Sequence, residues 1–311
     1  MKVRAWAELL RVSALFTVPG DALAGAAALG VRPGRGTALA VGASLCLYEA
    51  GMALNDWADR EEDARDRPHR PIPSGRISPR AALAAAGALT AAGLALASRA
   101  GRPALAVSSA LAATVWAYDL KLKHTIAGPA AMGAARALDL VLGAVATVPV
   151  AGPSLRAALP PAAILGAHTA AVTTVSRREA EGGSSAAPLA ALAATVALGA
   201  VTARRSWPTR GPQSPDGLNA LSSIAGRAEN APRLVTAALA AAYVATAAKP
   251  LAHAVLNPSP PLTQRAVGGG IRAMIPLQGA LAARGGAVGV GLGVMGLVPI
   301  ARALARKVSP T

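Results

Sequence analysis

Residues 36–63 read GTALAVGASLCLYEAGMALNDWADREED, an apolar run that ends in a burst of acids. From Gly36 to Asn55 the single charge is Glu49. A helix rises 1.5 Å per residue, so about 20 apolar residues cross a hydrocarbon core of roughly 30 Å. The run therefore reads as a membrane helix, and the acids as its end at one membrane face. Asp56, Asp59 and Asp63 are spaced i, i+3, i+7. On one continuous helix those positions fall within about 60° of each other, which predicts three carboxylates on a shared face.

The pattern recurs along the chain. Charge-free runs cover 81–98, 103–118, 140–155, 157–176 and 182–203, with shorter ones at 234–248 and 285–301. Segments 12–31, 127–150 and 263–283 qualify if one or two charges are tolerated. This predicts an all-α membrane protein, a bundle of nine or ten transmembrane helices. Of the 311 residues, 53% are hydrophobic and only 15% charged, against about 25% charged in soluble domains. Disorder is excluded by that hydrophobicity. The single cysteine, Cys46, excludes an intramolecular disulfide and a thiolate zinc centre. The net charge of +16 comes in short clusters between apolar runs, and aromatics are 3%. That is the distribution of membrane loops, not of a nucleic-acid interface. The clusters at 60–80 and 121–123 put those loops and the N-terminus on the cytoplasmic side, so an inner, bacterial cell membrane is expected. Arg11 and Asp21 argue against reading the N-terminal run as a cleaved signal peptide. The Ser-, Pro- and Gly-rich stretch 204–233 reads as a flexible extracytoplasmic loop within one domain, 1–311.

Clustered carboxylates repel one another unless a cation intervenes. Magnesium takes one or two carboxylates together with substrate phosphates. Downstream, Pro68, Pro71 and Pro73 stiffen a loop that carries Arg67, Arg70 and Arg76, and guanidinium forks suit phosphate oxygens. Acids and arginines at one membrane face suit a metal–diphosphate site. The alternative is a solvated helix end, with the aspartates paired to Arg60, Arg65 or Arg67.

At these residues the chain resembles the UbiA superfamily of intramembrane prenyltransferases. Asn55, Asp56, Asp59, Asp63, Arg67, Pro68, Arg70, Pro71 and Gly75 fit that family's acidic motif and the Arg-Pro segment after it. Tyr118 to Lys123 is similar to its Tyr/Lys segment, and Met132 to Asp139 to a third stretch. The resemblance implies a UbiA-like bundle that moves a prenyl group from a prenyl diphosphate to a lipophilic or aromatic acceptor, with Mg2+ as cofactor and membrane lipids around it. It implies Asp56, Asp59, Asp63 and Glu179 as metal ligands, with Lys123 and Tyr118 beside Asp56, Asp59 and Asp63 as catalytic groups. Asn55, Arg67, Arg70, Lys121, Lys123, Arg177 and Arg178 would hold the diphosphate. One departure matters. The family's second acidic motif would align its first acid with Val175, leaving only Glu179 and introducing Arg177 and Arg178. Such a motif looks like the actinobacterial, EboC-like branch. It favours the alternative of a non-catalytic lipid-binding or transport protein with the same fold.

Inside the bundle, Glu49 is assigned to the cavity. Arg136 and Asp139, spaced i, i+3, read either as an internal ion pair or as groups orienting the acceptor. Asp21 reads as the cap of a break at Pro19-Gly20, and His168, Met274 and Gln278 as packing residues.

Overall fold

The structure is a computed structural model describing residues 2–148, 153–177, 182–204 and 222–299. Among these are twelve α-helices and no strand. They are α1 (Lys2–Leu9), α2 (Pro19–Ala28), α3 (Arg35–Ala58), α4 (Arg60–Asp66), α5 (Pro79–Ala100), α6 (Arg102–Ala117), α7 (Gly128–Thr147), α8 (Leu159–Ser176), α9 (Ala186–Ala203), α10 (Ser222–Leu256), α11 (Pro260–Arg284) and α12 (Val288–Met295). Helix occupies part of every expected span. Six helical segments, 35–58, 79–100, 128–147, 155–176, 186–203 and 231–256, are long and apolar enough to cross a membrane. Of the expected loop 204–233, residues 205–221 lie outside the described residues, and α10 begins at Ser222.

Helix starts follow the local chemistry. Pro occupies the first turn of α2, α5, α6, α7, α8 and α11, where its missing N–H costs nothing. The Ser78 hydroxyl accepts from Ala81 N to cap α5 at 3.2 Å. Small side chains then let the helices approach closely. Gly25 on α2 lies against Leu140 O of α7, and Gly143 on α7 lies against Ala22, so a Cβ at either site would collide with backbone.

Two buried clusters share α7. One draws Leu140 and Ala144 together with α8, α9, α10 and α11. The other draws Leu142, Val145 and Ala146 together with α2, α3, α5 and α6. Between these halves, α3, α6, α7, α8 and α11 enclose a cavity of about 840 Å3.

Candidate active site

The cavity wall on α3 is a helical stripe: Ser44, Leu47, Tyr48, Gly51, Met52, Asn55 and then Asp59. These positions recur every three or four residues, as one helix face requires. Glu49 is half-buried and outside this stripe. It lies seven residues before Asp56, almost two full turns, and shares that residue's side of α3 rather than the cavity side.

The acidic motif does not run along one uninterrupted helix. Asp59 closes α3 and opens α4, with φ −86° and ψ 3°. Backbone bonds Asp59 N to Asn55 O (2.9 Å) and Asp63 N to Asp59 O (2.8 Å) carry the chain through the joint. Asp59 faces the cavity. Asp56 and Asp63 are buried, and arginines take both. Arg70 Nη1 donates to Asp63 Oδ2 at 2.6 Å and lies 3.6 Å from Asp56 Oδ1. Arg67 lies 3.6 Å from Asp63 Oδ1. Of the pairings in the alternative reading, that of Arg67 with Asp63 is formed, while none with Arg60 or Arg65 is formed among the described residues: Arg60 pairs with Glu61 and stacks over Trp57.

Arg11 was not among the residues expected at the site. It adopts φ 48°, ψ 48°, the one positive-φ non-glycine residue among the described residues. Its guanidinium lines the cavity and donates to Asp56 Oδ1 at 3.2 Å and Asn55 Oδ1 at 3.4 Å. Left-handed backbone at an arginine costs of order 1 kcal/mol and is held by its surroundings.

The Tyr/Lys segment contributes through a π-turn, Tyr118–Leu122, closed by Lys123 N to Tyr118 O at 2.9 Å. The extra residue in that turn re-aims the side chains that follow. Lys123 forms an ion pair with Asp59. Asp119 turns inward and accepts from Asn55 Nδ2 at 3.1 Å. Burial pushes its carboxyl up to about 6, against the opposing pull of the Asn55 hydrogen bond. Tyr118 lines the cavity. Lys121 is exposed and outside it, because the turn sends it away from Lys123. Arg177 lines the cavity and donates to His124 O at 3.3 Å. Arg178 and Glu179 lie outside the described residues. Val175, where a second acid would stand, is buried at 1% exposure.

One donor set suits a divalent cation. Asp59, Glu62 and His124 bring ligand atoms within 4.8 Å of one another. Two carboxylate oxygens are what a hard cation takes, and the imidazole adds a third donor. Glu62 and His124 could not be chosen from spacing, since His124 comes from the far side of the cavity.

Deeper in the bundle, Arg136 does not pair with Asp139. Its Nε lies 3.1 Å from Asp21 Oδ2, and its Nη2 donates to Thr17 O at 3.0 Å. Asp139 instead accepts from the Ser44 hydroxyl. Asp21 is thus a buried ion-pair partner rather than the cap of a break. His168 is 1% exposed, with Nε2 at 3.0 Å from Gly270 O and Nδ1 at 3.0 Å from the Tyr243 hydroxyl, so it packs as expected.

The UbiA prenyltransferase family matches residues 13–207, more than half of the chain. Digeranylgeranylglyceryl phosphate synthase of Methanopyrus kandleri is 38% identical over 128 residues, 40% of this chain and 45% of that protein. The synthase of the same name from Ignicoccus hospitalis is 35% identical over 152 residues, 49% of this chain and 50% of that protein. The chain therefore spans half or less of the length of these relatives. Among solved structures, the apo UbiA homolog from Aeropyrum pernix K1 superposes with a TM-score of 0.64 at 19% identity, covering 91% of this chain and 97% of that one. A UbiA homolog from Archaeoglobus fulgidus bound to GPP and Mg2+ gives a TM-score of 0.61 at 18% identity, covering 91% and 99%. These last two likenesses speak to the fold.

Proposed function

The chain belongs to the UbiA prenyltransferase family, and from that premise we propose that it is an intramembrane prenyltransferase, moving a prenyl group from a prenyl diphosphate to a lipophilic acceptor. One observation carries the reading. A single cavity has Asp59, Lys123, Arg11, Arg70 and Arg177 at one end and an apolar wall of Leu47, Met52, Leu111, Val115, Val172 and Val267 beyond them. A diphosphate with a hydrocarbon tail matches that division.

Asp59, Glu62 and His124 are the residues that would hold a divalent cation, Mg2+ in this reading. Bound there, the cation supplies neutralisation of the diphosphate charge. Lys123, Arg70 and Arg177 donate to the diphosphate oxygens and stabilise the leaving group as the C1–O bond breaks. Asp56 and Asp63 hold Arg11, Arg67 and Arg70 in position for this. The apolar wall keeps water from the allylic cation until the acceptor attacks C1 and passes its proton to an oxygen of the departed diphosphate. Tyr118, which also lines the cavity, would offer its ring to that cation.

The relatives named digeranylgeranylglyceryl phosphate synthase support a lipid acceptor, and the GPP- and Mg2+-bound homolog supports an isoprenoid diphosphate with a divalent ion. We assign residues 1–311 to one domain whose nine or ten membrane helices include the six apolar spans. The N-terminus and the acidic end face the cytoplasm of a bacterial inner membrane, as the positive loops suggest. Val175 in the second motif supports the EboC-like branch, whereas the two synthases described above are archaeal.

The test is turnover of labelled farnesyl and geranylgeranyl diphosphates by purified protein in lipid nanodiscs. Mg2+-dependent release of pyrophosphate, lost in Asp59→Ala, is expected. Tight binding of both diphosphates without any release would turn the assignment to the non-catalytic lipid carrier.

A further inference from the structure

The strained backbone at Arg11, φ 48° and ψ 48°, needs support from both ends, because such strain persists only where the surroundings over-determine it. On the cavity side, Asn55 and Asp56 accept from its Nη2. On the other side, α1 runs straight into it: Leu10 N donates to Trp6 O at 2.9 Å and Arg11 N to Glu8 O at 3.1 Å. Whatever fixes α1 therefore fixes the backbone of Arg11.

Two contacts fix α1. Ala5 and Leu9 join Leu54, Ile72 and Ile77 in one buried cluster. Apolar burial is non-directional, so it holds the helix down without setting its heading. The second contact is directional. Arg76 Nη1 and Nη2 donate to Glu8 Oε2 and Oε1 at 2.6 and 3.1 Å, closing a fork on one carboxylate. The same guanidinium donates to Ser74 Oγ at 2.9 Å and to His69 O at 2.5 Å, which locks it into the Arg-Pro loop. His69 precedes Arg70, and Arg70 lies 3.6 Å from the Asp56 Oδ1 that accepts from Arg11. A closed ring thus runs from Glu8 through Arg11, Asp56, Arg70 and Arg76 back to Glu8.

We infer that Glu8 and Arg76 are positioning residues: they set the spacing of two cationic arms, Arg11 from α1 and Arg70 from the loop, that close on the diphosphate. This role rests on the prenyltransferase reading. The arms carry like charges and converge on one carboxylate oxygen, so they repel each other. Each uses only part of its donor set. Among the described residues, Arg11 Nη1 and Arg70 Nη2 have no hydrogen-bond partner, which leaves N–H groups on both for a diphosphate. Donors already held at one separation lose less freedom when the ligand arrives. The fork ties the two backbones together where the diphosphate does not reach, since Glu8 and Arg76 are partly exposed and neither lines the cavity. An isolated surface pair would add little, but a bidentate pair inside a ring constrains two chain segments at once.

The experiment is a double-mutant cycle in lipid nanodiscs, read as binding of geranyl S-thiolodiphosphate in the presence of Mg2+. Wild type, Glu8→Gln, Arg11→Gly and the double variant are titrated. Glu8→Gln keeps the shape of the side chain and removes its charge, and it should weaken binding about fivefold. In the Arg11→Gly background the same change should alter binding by less than about 1.5-fold, because the arm that it positions has gone. Wild-type affinity in Glu8→Gln would overturn the inference. So would an equal loss with and without Arg11, the result expected if α1 merely supports the fold. If Glu8→Gln does not fold, Arg76→Lys opens the fork from its other side and is judged by the same two comparisons. Mg2+-dependent binding by wild type with no coupling between Glu8 and Arg11 sinks the positioning role alone. Its absence from wild type sinks the prenyltransferase reading and this role with it.

Discussion

Lys123, in the turn after α6, forms an ion pair with Asp59 at the joint between α3 and α4, and both side chains are largely buried, at 18% and 13% exposure. The pair bridges opposite walls of the cavity. It keeps an ammonium where a diphosphate would arrive while limiting the repulsion between Asp59 and its acidic neighbours.

Replacing Lys123 by Met keeps the length of the side chain and removes its charge. Pyrophosphate release should fall about 100- to 1000-fold, the usual scale for losing one preorganised donor to a leaving group. A steady-state assay with saturating donor measures this, and a loss confined to KM would refute a role in the chemical step.

Arg11 makes two separable predictions. Arg11→Ala and Arg11→Gly should both weaken binding of geranyl S-thiolodiphosphate, since both remove the guanidinium from Asn55 and Asp56. Glycine accepts φ 48° without strain, so Arg11→Gly should melt higher than Arg11→Ala by the equivalent of about 1 kcal/mol. Equal melting temperatures would mean that the backbone there relaxes freely.

Asp119 gives a pH signature. Its carboxyl is pushed up to about 6, from 3.8, mainly by burial. A raised carboxyl favours the folded state while protonated, and that contribution is lost as pH rises through about 6. At pH 8 the buried charge therefore destabilises the protein, and below pH 4 it does not. Asp119→Asn should raise stability at pH 8 by up to about 3 kcal/mol, with the gain shrinking toward zero as pH falls from 6 to 4. Thermal melts across that range in chelator-containing buffer provide the readout. A gain independent of pH would point to packing instead.

The α2–α7 contact predicts a steric effect. In Gly143→Val the new side chain meets Ala22 backbone. Overpacking of this kind costs about 1–3 kcal/mol or forces the helices apart. A melt in nanodiscs should show the drop already in Gly143→Ala, while Gly289→Ala, whose Cβ meets nothing within 4 Å, should not.

Much of this molecule was legible in the sequence. Apolar runs located the six segments long enough to cross a membrane, because a bilayer demands length and hydropathy that soluble helices rarely show; the short α1 and α4 and the start of α10 inside the expected loop were not read. Asp59, Lys123, Arg70 and Tyr118, singled out through their local motifs, all line the cavity. What escaped was set by long-range packing. The i, i+3 spacing of Arg136 and Asp139 suggested a pair, but Ser44 claims Asp139 and α2 supplies Asp21 to Arg136. Treating 55–63 as one helix face missed the joint at Asp59, which separates the cavity-facing acid from the two held by arginine. Arg11 and His124 carried no local signal, since a left-handed arginine and a loop histidine acquire meaning only from what lies opposite.

The ion pair between Asp21 and Arg136 also constrains how the chain is made. Arg136 lies 119 residues after Thr17, whose carbonyl it also binds. During synthesis α2 leaves the ribosome with a carboxyl that has no counter-ion until five further helices have been translated. Burial of that carboxyl must therefore await α7, so the early packing of α2 is provisional, and truncation upstream of α7 leaves Asp21 without its partner.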